Sequence, residues 1–310
     1  MWLDRFLDLL PDGFEFVLAD VGAADGLHPC WAPARSVVSA LLFEPRENVA
    51  DVVRQGRDVI YPIGLDRASG MTSLNLTASI NMSSSLTPNA AIFDTFQRKR
   101  EHTQIVGTMP IRVDTLDAIV LRDGHTVDAI KVDTQGSELE ILQGAASCLE
   151  ETVLLAEIEV SFFERYVGQA RFDEIVGFMR ERGFDLLDLH RLRRYRQRNQ
   201  AGIGNVSFGF GRRAGRLAYG DALFVLEEKR LLARLEAMPA PEAEVAALRA
   251  ILGLLIYGKP DAAGRLFDLT AEMFEPKRRE LLAGALRHLR LRWVRNSGAN
   301  RIFDFLCRRV

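Results

Sequence analysis

Two glycines and two acids crowd into Asp20-Val-Gly-Ala-Ala-Asp-Gly26, directly after the apolar run Phe14-Glu-Phe-Val-Leu-Ala19. Small residues at Gly22, Ala23 and Gly26 let a ligand approach backbone N–H groups, and Asp20 opening the turn can bind a hydroxyl or a cation on it. Other acids close later apolar runs: Glu44 before Pro45, Asp133, and the pair Glu157 and Glu159. Glu44 lies about the distance downstream at which an acid accepts hydrogen bonds from a ribose diol. Gly64-Leu65 ends another such run. The turn is not Gly-x-Gly-x-x-Gly, and no Lys-Ser/Thr follows it, so a pyrophosphate cradle is poorly supported. The pattern suits a nucleoside-bearing, positively charged cofactor. S-adenosylmethionine is the first candidate and NAD the second. The competing reading is a tight corner followed by helix-capping or salt-bridged acids.

Strands must carry these groups to one edge. Strands are expected at Phe14–Ala19, Ser36–Phe43, Arg57–Gly64, Val127–Val132, Val153–Val160 and Phe184–Leu189. Between them helices are expected at Leu27–Arg35, Arg46–Gln55 (closing at Gly56), Ala90–Lys99, Thr115–Leu121, Gly136–Leu149 and Phe172–Arg182. A short helix over Met1–Leu10 precedes them. Met71–Asn89 is rich in Ser, Thr and Asn and reads as a short strand, Thr72–Leu76, followed by a polar loop; Gln104–Val113 is extended. Such a loop is either a solvated excursion or a carrier of function. Arg191–Arg198 is strongly basic, and Gly204–Phe210 and Asp221–Leu226 form an antiparallel pair at one end. The alternation gives an α/β fold with a doubly wound, mostly parallel sheet, in which ligands bind at the carboxyl ends of the strands.

After Glu227 strand patterns vanish. Lys229–Met238, Ala243–Tyr257, Asp261–Phe274 and Lys277–Arg295 read as helices separated by prolines. The expected organisation is therefore residues 1–227 as the ligand-binding domain and 228–310 as an all-helical extension. From Lys277 onward the only acids are Glu280 and Asp304, and apolar residues interleave with the basic ones. This tail packs one face on the core, or it meets an acidic partner, a membrane surface or a second copy of the chain.

The 310 residues are 48% apolar with a net charge of −2, which argues against disorder and gives no global pull toward nucleic acid. No apolar run approaches the roughly 18 residues of a spanning helix, and the first residues lack the charge pattern of a secretory signal. Cys30, Cys148 and Cys307 show no metal-binding spacing and are too few and scattered for a disulfide framework. A cytoplasmic protein is expected, with Cys30 a buried filler.

The chain resembles FkbM-family S-adenosylmethionine-dependent methyltransferases. The resemblance is carried by the glycine turn, Phe43-Glu-Pro45, Ile130-Lys-Val-Asp-Thr-Gln-Gly-Ser-Glu138 with Leu142-Gln-Gly-Ala145, Glu159-Val160, Gly183-Phe184 with Asp188-Leu189, and Gly220-Asp-Ala-Leu-Phe224. It covers about Val17 to Val225. The resemblance implies a Rossmann-like class I methyltransferase fold that methylates a hydroxyl of a sugar, glycan or secondary metabolite. Cofactor contacts would then fall to Asp20, Gly22, Ala23, Gly26, Glu44, Pro45, Leu65 and Asp133. A hydroxyl acceptor benefits from a base; Asp133 is the first choice, followed by Glu159 and His190, the last of which also reads as an exposed loop histidine. Asp133 and Glu159 could instead hold a divalent cation that acidifies the acceptor. Ser83 to Ser85, with Ser84 and Ser85 foremost, would line the acceptor site, and Arg193, Arg194 and Arg196 would meet an anionic acceptor. The alternative from another class is a non-catalytic nucleotide-binding or scaffold protein whose helical tail recruits a partner.

Overall fold

A computed structural model describes residues 3–23, 26–46, 51–97, 100–201, 203 and 214–295. The chain divides into two compact units. One comprises Leu18–Gly26 and Ala40–Val225; the other comprises Met1–Val17, Leu27–Ser39 and Leu226–Val310.

The strands are β1 (Phe16–Val21), β2 (Val38–Phe43), β3 (Val53–Gln55), β4 (Asp58–Tyr61), β5 (Gly64–Leu65), β6 (Gly70–Thr77), β7 (Ile105–Asp114), β8 (Ala129–Val132), β9 (Leu155–Ser161), β10 (Phe184–Tyr195) and β11 (Arg216–Leu226). An eight-stranded sheet runs β10-β11-β9-β8-β1-β2-β4-β3, and a three-stranded sheet runs β5-β7-β6. In the large sheet β1 pairs with β8, β8 with β9, and β2 with β4, all parallel; β11 joins β9 antiparallel, and β3 joins β4 antiparallel. The α/β, doubly wound and mostly parallel sheet is thus present, with β10 and β11 at one edge. Every residue of β1 and of β9 is buried, as expected of strands covered on both faces. Strand order reverses between β1 and β8, the usual place for a ligand crevice.

The helices are α1 (Asp4–Leu7), α2 (Ala90–Phe93), α3 (Leu116–Asp123), α4 (Glu138–Gln143), α5 (Ala146–Glu151), α6 (Phe172–Glu181), α7 (Glu228–Glu236), α8 (Ala240–Ile256), α9 (Pro260–Thr270) and α10 (Pro276–Arg295). In the first unit α4 and α6 pack on β9. In the second, α8 packs with α7, α9 and the 3-10 turn Pro29–Ala34, and α10 packs with α1 and α9. Trp31 is fully buried there, edge-on to Tyr257 at 5.5 Å. Among the described residues no helix is long and apolar enough to cross a membrane.

Several elements differ from the sequence expectation. The helix expected over Arg46–Gln55 is contradicted at its end, where Val53–Gln55 is β3; residues 47–50 lie outside the described residues. Gly56, read as a helix stop, takes a φ of 61° and turns the hairpin between β3 and β4, because a left-handed glycine serves either ending equally well. The strand expected at Arg57–Gly64 breaks at Pro62, which has no N–H for the ladder; Gly64-Leu65 instead pairs with Val113-Asp114 of the small sheet. The single helix expected over Gly136–Leu149 is two. Asp117 of α3 accepts hydrogen bonds from the N–H groups of Ser147 (2.8 Å) and Cys148 (2.9 Å), capping a separate α5. Strand β6 runs past the expected Thr72–Leu76 and pairs with β7 over its full length. Strand six does not stop at Leu189 but continues through the arginines to Tyr195, and arginines on an edge strand are a common guard against further pairing. Cys30 is half-buried, not a core filler. The expected strand Gly204–Phe210 and the tail beyond Arg295 lie outside the described residues.

Candidate functional site

Asp20 does not open the glycine turn; it is the fifth residue of β1 and is completely buried. Register explains its surroundings. Asp20 pairs directly with Lys131 on β8, and Lys131 pairs directly with Glu157 on β9, so the three side chains share one face of the sheet. Lys131 Nζ donates to Asp20 Oδ1 at 2.9 Å, while Asp20 Oδ2 is buried with no hydrogen-bond partner among the described residues. Burial pushes the Asp20 carboxyl up, with Lys131 opposing. Burial also disfavours the Lys131 ammonium, but Asp20, Asp133 and Glu157 outweigh it and hold the lysine charged.

The turn itself begins at Gly22. Its N–H and that of Ala23 donate to Phe43 O at 2.9 and 3.4 Å, and Gly26 N–H donates to Ala23 O at 2.9 Å. These three amides are therefore spent within the protein and are not presented to a ligand, which corrects the expectation of bare backbone donors; Ala24 and Asp25 lie outside the described residues. Asp133 N–H donates to Val21 O at 3.0 Å, so the chain segments leaving β1, β2 and β8 are laced together. A Cβ on Gly22 would stand 2.1 Å from Asp133 O, and its φ is 85°. Close backbone approach, rather than ligand approach, demands this glycine.

Glu44 is buried at the end of β2, with both carboxylate oxygens taken by Arg46: Nε to Oε1 at 2.8 Å and the guanidinium to Oε2 at 2.9 Å. Arg46 also donates to Ile80 O at 3.2 Å. Pro45 follows, half-buried. Leu65 is buried in the small sheet, not at the end of the large one.

Asp133 and Glu159 are brought together by Gln135, the residue of the Ile130–Glu138 block at which the chain departs from the glutamate common in the family it resembles. Gln135 Nε2 donates to Asp133 Oδ1 at 3.0 Å and to Glu159 Oε1 and Oε2 at 3.1 and 3.2 Å. Glu159 is also ion-paired with Arg165, which is itself buried and lies 4.2 Å from the centre of the Tyr219 ring. Burial pushes the Glu159 carboxyl up, Arg165 opposes, and Asp133, Glu138 and Asp221 add to the rise as like charges. Asp221 stands directly opposite Glu159 across the β9–β11 pair, and burial lifts it to about 6 against the pull of Arg191. The loop after β8 is fixed by Glu138, whose carboxylate accepts from the N–H groups of Thr134 (3.1 Å) and Gly136 (2.9 Å).

Ser84 and Ser85 reach this loop. Ser84 Oγ donates to Gln135 O at 2.8 Å, and Ser85 Oγ is 2.6 Å from Ser137 Oγ. The polar segment thus packs on the site instead of leaving it for solvent. His190 is not a loop residue: it lies in β10, with Nε2 3.3 Å from Glu157 Oε1. Burial raises the Glu157 carboxyl, but the His190 hydrogen bond and the charges of Arg191 and Lys131 outweigh it, leaving Glu157 at about 2. Arg194 is exposed and donates to Gly215 O at 3.3 Å, and no contact brings it to Asp133.

Glu157, His190 and Asp221 offer ligand atoms within 4.8 Å of one another, the arrangement closest to a metal site among the described residues. Arg191 already bridges Glu157 and Asp221 with its guanidinium, so a cation stands there without a metal. Glu159, the other metal ligand expected from sequence, is occupied by Arg165 and Gln135. The donor set does not fit a metal at Asp133 and Glu159. The orphaned Asp20 Oδ2 and the buried Glu44, at the ends of adjacent strands, do fit a ligand with amino and hydroxyl groups.

Residues 20–186 match the family model of the methyltransferase FkbM domain. No curated protein matches the chain at a significant level. Among solved structures, methyltransferase FkbM from Methylobacillus flagellatus KT is similar at 14% identity with a TM-score of 0.35, covering 70% of this chain and 45% of that one, so the chain spans under half of that protein. A variant of the 16S rRNA (adenine(1408)-N(1))-methyltransferase from Catenulisporales acidiphilia is similar at 12% identity with a TM-score of 0.31, covering 73% of this chain and 92% of that one.

Proposed function

This chain belongs to the FkbM methyltransferase family, and from that premise we propose that it transfers a methyl group from S-adenosylmethionine to a hydroxyl oxygen of a small-molecule or glycan acceptor. The observation that carries the cofactor reading is the buried, unpartnered Asp20 Oδ2 at the sheet's reversal point, since a buried carboxylate oxygen without a donor is costly unless a ligand supplies one. Bound S-adenosylmethionine supplies a methyl group already activated by its sulfonium.

The protein's own part is then to bind, align and accept a proton. Asp20 Oδ2 accepts from the amino group or a hydroxyl of the cofactor, with Lys131 balancing its charge. Glu44, held in place by Arg46, accepts from the ribose hydroxyls. Asp133 Oδ1 accepts from Gln135, and Oδ2 is the oxygen to which this reading gives the acceptor's proton. Ser84 and Ser85 border the acceptor side.

The test is titration calorimetry with S-adenosylmethionine, followed by a mass-spectrometric screen of hydroxylated acceptors for a product heavier by one CH2. Absence of binding at millimolar ligand would sink the cofactor reading, and methylation only of nitrogen or carbon would sink the hydroxyl assignment. Glu44→Ala is expected to weaken cofactor binding by about 1–3 kcal/mol, from hydrogen bonds lost to a buried polar ligand. Unchanged affinity in the same calorimetric assay would remove Glu44 from the ribose.

A further inference from the structure

Gln135, like Arg191, has a positive φ rare for a residue with a side chain: 61°, in the left-handed region, followed by Gly136 at 129°. Three contacts hold it there. Ser84 Oγ donates to its carbonyl at 2.8 Å, Gly136 N–H donates to Glu138 at 2.9 Å, and Tyr166 Oη, 3.4 Å away, donates to its side-chain oxygen. A strained conformation so over-determined is characteristic of positions where orientation matters.

We propose that Gln135 is a positioning residue whose amide nitrogen joins Asp133 and Glu159 into one unit, fixing Asp133 Oδ1 and leaving Oδ2 for the acceptor hydroxyl. The stoichiometry fits. A carboxamide has two N–H donors, and two carboxylates lie within 3.0–3.2 Å of its nitrogen. The orientation is not interchangeable: rotating the amide would set its oxygen against the Asp133 and Glu159 carboxylates, where nothing donates to it. A glutamate at 135 would put a third acid where a donor is needed. The charged groups around this bridge are Asp20 on β1, Lys131 on β8, Glu138 at the start of α4, Arg165, Arg191 on β10 and Asp221 on β11. Among the described residues Gln135 is the one hydrogen-bonded to both acids, so it couples them directly.

The acceptor role of Oδ2 rests on the methyl-transfer reading, but the coupling does not, and the experiment separates the two. Full-length protein carrying 13C at the Asp and Glu carboxyl carbons is titrated by NMR with S-adenosylhomocysteine present, Asp133 and Glu159 being assigned from Asp133→Asn and Glu159→Gln. In the wild type the Asp133 carbon should show an inflection at the Glu159 midpoint, as coupled groups do. Gln135→Asn keeps an amide and suits the left-handed backbone, but falls one methylene short. There the shared inflection should vanish and the Glu159 midpoint should rise by about one unit, because a donor to its charged form is gone. Gln135→Glu should raise the Glu159 midpoint further. If the asparagine variant does not fold, Gln135→Gly makes the same comparison without backbone strain. Superimposable Asp133 and Glu159 curves in the wild type and in the folded Gln135 variant would overturn the proposal. Failure of the wild type to bind S-adenosylhomocysteine would count against the cofactor reading alone, leaving the two titration curves to judge Gln135.

Discussion

Asp133→Asn is expected to lower methyl transfer by about 10²–10⁴-fold, the usual span for a lost general base, with cofactor affinity retained. The substitution is close to isosteric, and the backbone of residue 133 holds the turn through Asp133 N–H to Val21 O at 3.0 Å, a contact that the side chain does not touch. An asparagine would turn its carbonyl oxygen to the Gln135 amide and present an NH2 where the acceptor's proton must go. Binding is therefore preserved while proton removal is lost. Calorimetry paired with single-turnover kinetics on the acceptor found by screening distinguishes the outcomes: binding retained with turnover intact would reject Asp133 as the base. The same pair of measurements on His190→Asn serves as a contrast. His190 contacts Glu157 rather than Asp133, so its loss should leave single-turnover rates far less affected.

Gly22→Ala should be more damaging to the molecule as a whole. A Cβ there meets Asp133 O at 2.1 Å and Asp133 C at 3.0 Å, both of them backbone atoms that cannot rotate aside. The left-handed φ alone costs about 1–2 kcal/mol for a residue with a side chain. Separating the segments also endangers the hydrogen bonds from Gly22 N–H to Phe43 O and from Asp133 N–H to Val21 O, each contributing about 0.5–1.5 kcal/mol. Together they place the loss above about 3 kcal/mol, in the range reserved for a few specific mechanisms, and cofactor binding should go with it. Gly26→Ala is the control. Gly26 has a similarly positive φ of 73°, but no described residue beyond its chain neighbours lies within 4 Å of its added Cβ. Thermal unfolding of the two variants separates strain from collision: equal falls in Tm would show that the approach to Asp133 is not the cause.

The acids at the strand ends were legible because apolar runs announce buried strands, and a charge closing such a run stands out. What joins them was not. Lys131 sits in a four-residue strand where it looks like a solvent-facing alternation; its pairing with Asp20 on one side and Glu157 on the other is a matter of strand register, and the Lys131–Asp20 contact joins segments 111 residues apart. Gln135 stood out as a departure within the Ile130–Glu138 block, but its bridge to Glu159 was not legible, and Arg165 was invisible, since each matters through the acid it touches. Local ambiguity explains the misplaced elements. Gly56 ends a helix or turns a hairpin with the same φ, and the arginines of β10 look like a solvated loop until an edge strand is known to need them.

The way the strand ends are laced has a bearing on how such a protein diversifies. Gly22, Phe43, Val21 and Asp133 are joined through main-chain atoms, so side-chain changes elsewhere leave that lacing intact. Ser84 and Ser85 come from a different stretch, next to the three-stranded sheet, and touch the site only through hydroxyls and one carbonyl. Under the proposed function, exchanging those two serines would alter the acceptor side while leaving in place the Arg46 contacts to Glu44 and to Ile80 O, which tie the rest of that segment to the ribose acid.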